Sequence, residues 1–160
     1  MNIIRKAKLF LSLNISMKLL LLEAFIYLGW ARILILRPFI EIAPSLGRHM
    51  AETSAAPAGA NKLELRRVHE AIEIMSKYAP WESKCLVRAI AAMKMLERRR
   101  IESTLYLGTA KDEGRKMIAH AWLRSGPYYI TGAEGMETFT VVGKFAKLMN
   151  EKVEGELDGQ

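Results

Sequence analysis

One cysteine, Cys85, occurs in the 160 residues, and the three histidines, His49, His69 and His120, lie far apart along the chain. A lone cysteine closes no internal disulfide, and no Cys/His cluster has metal-ligand spacing. These absences exclude a disulfide framework and a structural zinc site, and they fit a reducing, cytoplasmic setting. No phosphate-binding loop is present either: "GAEG" at 132–135 lacks a following Lys-Ser/Thr at a helix start and reads as a turn. No cofactor is therefore expected. Acidic residues are under-represented early, so the net charge of +7 falls as about +5 over residues 1–50, +3 over 51–110 and −1 over 111–160. Nucleic acid, anionic lipid and acidic peptide all attract such an excess. The absence of an aromatic-interleaved basic stripe or zinc-finger spacing argues against nucleic acid.

The length suits one domain with an ordinary core. The most apolar part is the opening "MNIIRKAKLFLSLNISMKLLLLEAFIYLGWARILIL". Its run from Leu19 to Leu36 is at the lower edge of a transmembrane span. Glu23 and Arg32 interrupt it, each costing about 2.5–3.5 kcal/mol near a bilayer centre. A signal peptide fits poorly, because the stretch is too long and the small residues of "SAAPAGA" follow too late. The expected organisation is an apolar helical segment over 1–50, a core over 51–150 and a loose polar tail over 151–160. The opening helices pack on the domain or on a partner, and Arg5, Lys6 and Lys8 offer contact with a membrane surface.

The connector "RPFIEIAPSLGRHMAETSAAPAGA" has three prolines and two glycines and reads as a hinge or loosely packed loop. Leu65, Val68, Ile72 and Met75 recur at helical spacing, predicting a helix from Leu63 to Lys77. Ser83 is the expected N-cap of a second helix, with Leu86, Ile90, Met93 and Leu96 as its buried stripe to about Arg99. "STLYLGT", "MIAHAWL" and "YYIT", separated by turns, predict an antiparallel meander that "FTVVGKF" extends by a fourth strand.

Cys85 thus falls in the first turn of a helix, where partial positive charge and free N–H groups favour a thiolate. A cysteine hydrolase also needs a base, and His120, on a strand after the cysteine helix, is the natural candidate. His49 and His69 precede that helix and read as surface or packing residues. Residue types and spacing leave a plain alternative open: Cys85 as a small buried apolar residue and His120 as a satisfied strand residue. Trp81 has two readings, shaping a substrate cleft or anchoring the loop before the helix. Arg98, Arg99 and Arg100 read as a solvated helix end that suits the macrodipole, or as a site for an acidic peptide.

The wording "PWESKCLVRAIAAMKMLERRRIESTLYLG", followed by "AHAWLRSGPYYITGAEGMETFTVVGKF", resembles the transglutaminase-like cysteine peptidase of lasso-peptide biosynthesis, in the stand-alone form without a leader-recognition domain. The resemblance runs through residues 80–145, and the apolar opening is similar to that common in the family. It implies an α+β fold, a papain/transglutaminase-like core in which the cysteine helix packs on an antiparallel sheet, preceded by apolar helices. It also implies that Cys85 attacks the scissile carbonyl of the leader and that His120 later protonates the departing amine. The family's carboxylate after the histidine has no clean counterpart in "AWLRSGPYYIT". Glu134 is the first acid downstream and the candidate, with Thr131 or a backbone carbonyl as alternative orienters of the ring.

The implied partners are the precursor's leader peptide, a separate leader-binding protein and a macrolactam-forming cyclase, to which ATP would belong. The apolar opening would dock on one of these proteins, leaving the isolated chain poorly soluble or weakly active. A small pocket near Cys85 would read the threonine that commonly precedes the last leader residue. Two other functions stay open: a non-catalytic scaffold of the same fold, and acyl transfer to an amine.

Overall fold

Apolar spacing and a side-chain cap shape the opening of the chain. The computed structural model describes residues 2–56 and 62–149, so the expected loose tail lies outside the described residues. Helix α1 (Ile3–Ser12) meets α2 (Ile15–Leu34) at a bend of 120°. Asn14 caps α2, its side chain accepting from the Met17 N–H at 2.8 Å. Leu20, Leu21, Ala24, Leu28 and Ala31, on one face of α2, enter the main core. Part of the apolar opening is therefore a core helix. No single helix among the described residues is long and apolar enough to cross a membrane.

The connector is more ordered than its prolines suggest. It holds α3 (Phe39–Ile42), a 3-10 turn (Ala43–Leu46) and β1 (Arg48–His49), with Ile42, Leu46 and Thr53 buried. Gly47 has φ +121°, and a Cβ there would stand 2.4 Å from the Ala146 carbonyl oxygen. Only glycine lets the chain pass this close to the sheet. Thr53 and Thr104 share a hydroxyl hydrogen bond at 2.7 Å. The expected loose hinge is thus a packed strap over residues 39–54, because apolar Ile42 and Leu46 offset the cost of fixing it.

Helices α4 (Lys62–Tyr78) and α5 (Cys85–Arg98) match the apolar periodicity. Three of the four expected α5 positions, Ile90, Met93 and Leu96, are buried, and Leu86 is half-buried. Val87, Ala89, Ala91, Ala92 and Met95 are buried too, since α5 lies between α2 and α4 on one side and the sheet on the other. Arg88, Lys94, Glu97 and Arg98 of this helix reach solvent, and a helix buried on two sides needs the small and apolar residues that fill the rest of it.

The sheet contains β1, β2 (Ser103–Lys111), β3 (Met117–Ser125), β4 (Tyr128–Thr131) and β5 (Thr140–Lys147). Its order is β1-β5-β2-β3-β4, antiparallel throughout. β2, β3 and β4 form the expected meander, but β5 does not follow β4. It crosses to the free edge of β2, because the four residues of β4 are too few to pair eight, whereas β2 has nine.

Candidate active site

Cys85 is the first residue of α5. Ser83 does not cap this helix: Lys84 occupies the cap position with no side-chain hydrogen bond, and the Ser83 hydroxyl is buried without a partner. Ser83 instead accepts the Arg88 Nε–H through its carbonyl, at 2.9 Å. The first N–H groups of a helix have no intrahelical acceptor, so with no capping side chain they stay available to negative charge developing at Cys85.

A cavity of about 290 Å³ opens beside the thiol. Cys85 and Leu86 form its helix wall, and Leu107, Thr109, Ala119 and Ala121 of the β2–β3 ladder line the facing side, together with Gly108 and His120. Phe39 and Val142 complete an almost wholly apolar lining. The strap thus supplies one wall residue, Phe39, that no catalytic motif marks.

His120 pairs with Gly108 across the ladder. Its ring packs between Trp122, at 5.8 Å between centroids, and Phe139, at 5.1 Å. Its Nε2 lies 2.8 Å from the Gly132 carbonyl oxygen. A carbonyl only accepts, so Nε2 carries the hydrogen, and in the neutral ring Nδ1 keeps the lone pair that a general base needs. Strand alternation also bears on reach. Leu105, Ala121 and Leu123 face α5 within the main core, whereas Tyr106 and Trp122, and His120 with them, face the other side. Cys85 and His120 border one cavity, and no hydrogen bond joins thiol to imidazole.

Glu134 is exposed and makes no hydrogen bond to His120; the Gly132 carbonyl holds the ring in its place. The Thr131 hydroxyl is buried without a partner and does not touch the imidazole either. Trp81 packs on Phe25, at 4.9 Å between centroids, and over Gly29 of α2. It does not line the cavity, and its indole N–H is buried unpaired, so the tryptophan anchors the loop before α5 to α2. Arg99 is not a solvated end. It donates to Glu23 through both terminal nitrogens at 2.8 Å and to Glu64 through Nε at 2.7 Å. These carboxylates hold the guanidinium firmly charged, and Glu23, the acid that interrupts the apolar run, is thereby compensated.

A polar cluster with no sequence signature lies behind the histidine. Tyr106 stacks on Trp122 at 5.6 Å, which in turn stacks on His120. The Tyr106 hydroxyl donates to Glu52 at 2.6 Å and accepts from Arg124 Nε at 3.0 Å. Arg124 also donates to the carbonyls of Thr53 and Gly126. The Tyr106 hydrogen bond, helped by Lys144, holds the Glu52 carboxyl below its usual range against the opposing effect of burial. Burial, with Glu52 beside it, pushes the Tyr106 hydroxyl up. Among the described residues no group of His, Cys, Asp or Glu is arranged to hold a metal.

The search of curated proteins and that of solved structures each return no match. The family comparison does: residues 25–144, from the middle of α2 into β5, match the transglutaminase-like superfamily. With the cysteine opening a helix, the histidine on the following sheet and the match spanning most of the chain, the protein belongs to the transglutaminase-like superfamily.

Proposed function

We propose that the protein is a cysteine peptidase that removes the leader from a lasso-type precursor peptide, with Cys85 as nucleophile and His120 as base. The observation that carries this reading is Cys85 at the uncapped start of α5, on the wall of a cavity, in a chain of this superfamily. The thiolate forms an S–C bond to the scissile carbonyl, and the oxyanion is met by the Cys85 N–H. The C–N bond then breaks, and the proton taken from the thiol by Nδ1 of His120 passes to the leaving amine. Water hydrolyses the thioester, its hydroxyl going to the acyl carbon and its proton back to sulfur. The small apolar cavity suits the side chain of a threonine near the cut. A leader-binding protein presents the substrate in the cytoplasm, and ATP is used by a partner cyclase alone.

The test is mass spectrometry of a lasso-type precursor incubated with the leader-binding protein and either wild type or Cys85→Ala. Cleavage at the leader–core junction by wild type alone supports the peptidase. An amine adduct in place of a free carboxylate points to acyl transfer.

One observation favours a second reading. His120 shares its face of the sheet with Trp122 and is not hydrogen-bonded to Cys85, which suits a non-catalytic scaffold of this fold. Formation of the leader complex by both proteins, with cleavage by neither, supports the scaffold.

A further inference from the structure

Helix α1 stands apart from the core. None of its residues is buried, although Ile3, Ile4, Leu9, Phe10 and Leu11 are apolar, with Ile3 85% and Leu11 70% exposed. At 100° per residue Ile3, Ile4, Ala7, Phe10 and Leu11 share one face, bordered by Lys6 beside Phe10 and by Lys8 beside Ile4, while Arg5, Leu9 and Ser12 lie opposite. The helix is held to the domain along its Lys6–Phe10 flank and at its end: Lys6 lies over the Tyr78 ring at 5.0 Å, and Lys18 lies over the Phe10 ring at 6.0 Å and donates to the Leu11 carbonyl at 3.0 Å. Exposed Ile15 and Leu19 follow just past the bend.

Charge selects what covers this face. Through residue 40 the chain has six cationic side chains and a single acid, Glu23. That acid is turned inward, its side chain 12% exposed and bound by Arg99, so it cancels nothing on the outer surface. An apolar stripe bordered by cations and free of acids matches the interface of an anionic bilayer, where apolar side chains enter the acyl boundary and Lys/Arg meet headgroup phosphates. A neutral protein groove would leave the cations unmatched. We propose that α1 lies in the surface of an anionic membrane and tethers the domain there without crossing it.

The experiment is co-sedimentation of the full chain with vesicles of phosphatidylglycerol and phosphatidylcholine in equal parts, against vesicles of phosphatidylcholine alone. The proposal expects binding to the first, at least about tenfold weaker in Arg5→Gln/Lys8→Gln and in high salt. It also expects loss of binding in Phe10→Ser/Leu11→Ser, with the melting curve unchanged because neither residue is buried. Equal binding to both vesicles, or none to either, overturns it. Light scattering that shows a dimer broken by Phe10→Ser/Leu11→Ser, without vesicle binding, assigns the face to a second copy and overturns it as well.

Discussion

The Nε2–H of His120 donates to the main-chain carbonyl of Gly132 at 2.8 Å, the position that a carboxylate occupies in a Cys-His-acid arrangement. A neutral carbonyl fixes the tautomer and the ring orientation but stabilises an imidazolium less than a carboxylate does. Glu134→Gln is therefore expected to leave the rate of leader cleavage within about threefold of wild type, since no hydrogen bond joins Glu134 to the ring. A loss of a hundredfold or more in single-turnover assays would give the orienting role back to Glu134.

Gly132 has φ +71°, and a Cβ there would stand 2.4 Å from the Ala121 carbonyl oxygen. Gly132→Ala should cost about 1–3 kcal/mol in urea denaturation and displace the carbonyl that holds His120. Cleavage should fall with it. An unchanged urea midpoint would show that the turn relaxes freely.

Arg99 ties α5 to α2 and α4 through Glu23 and Glu64, with Glu23 mostly out of solvent. Arg99→Met leaves Glu23 unpaired and should destabilise the fold by about 2–4 kcal/mol, while Glu23→Gln/Arg99→Met should recover part of it. Additive losses in that cycle would mean that the pair has no coupling.

The Glu52 carboxyl is held below its usual range, so its contribution to stability is present at neutral pH and is lost as pH falls through the lowered value. The Tyr106 hydroxyl is shifted the other way, and its contribution is lost as pH rises beyond the ordinary tyrosine range. Tyr106→Phe should flatten both limbs of the melting temperature against pH. Limbs as steep as in wild type would place the titrating groups elsewhere.

Periodicity made α4, α5 and the strands legible, because burial of one face writes itself into every third or fourth residue, or every second. Cys85 at a helix start could be read for the same reason. The Ser83 cap could not, since capping depends on one backbone torsion and Lys84 took the position. The strap was obscured by its prolines, and its buried contacts, such as Thr53 with Thr104, join residues far apart in sequence. The side of the sheet to which His120 points follows from strand register and from the crossing of residues 132–139, and neither has a local signature.

The placement of β5 between β1 and β2 bears on how the chain is made. β1 and β2 both wait for a partner that is synthesised after them, so this part of the sheet closes only when Thr140–Lys147 has left the ribosome. Until then the long edge of β2 is unpaired, an open template for another chain. A nascent or prematurely terminated product ending before β5 would expose that edge together with the apolar floor beside Cys85, making it a natural client for a holdase chaperone.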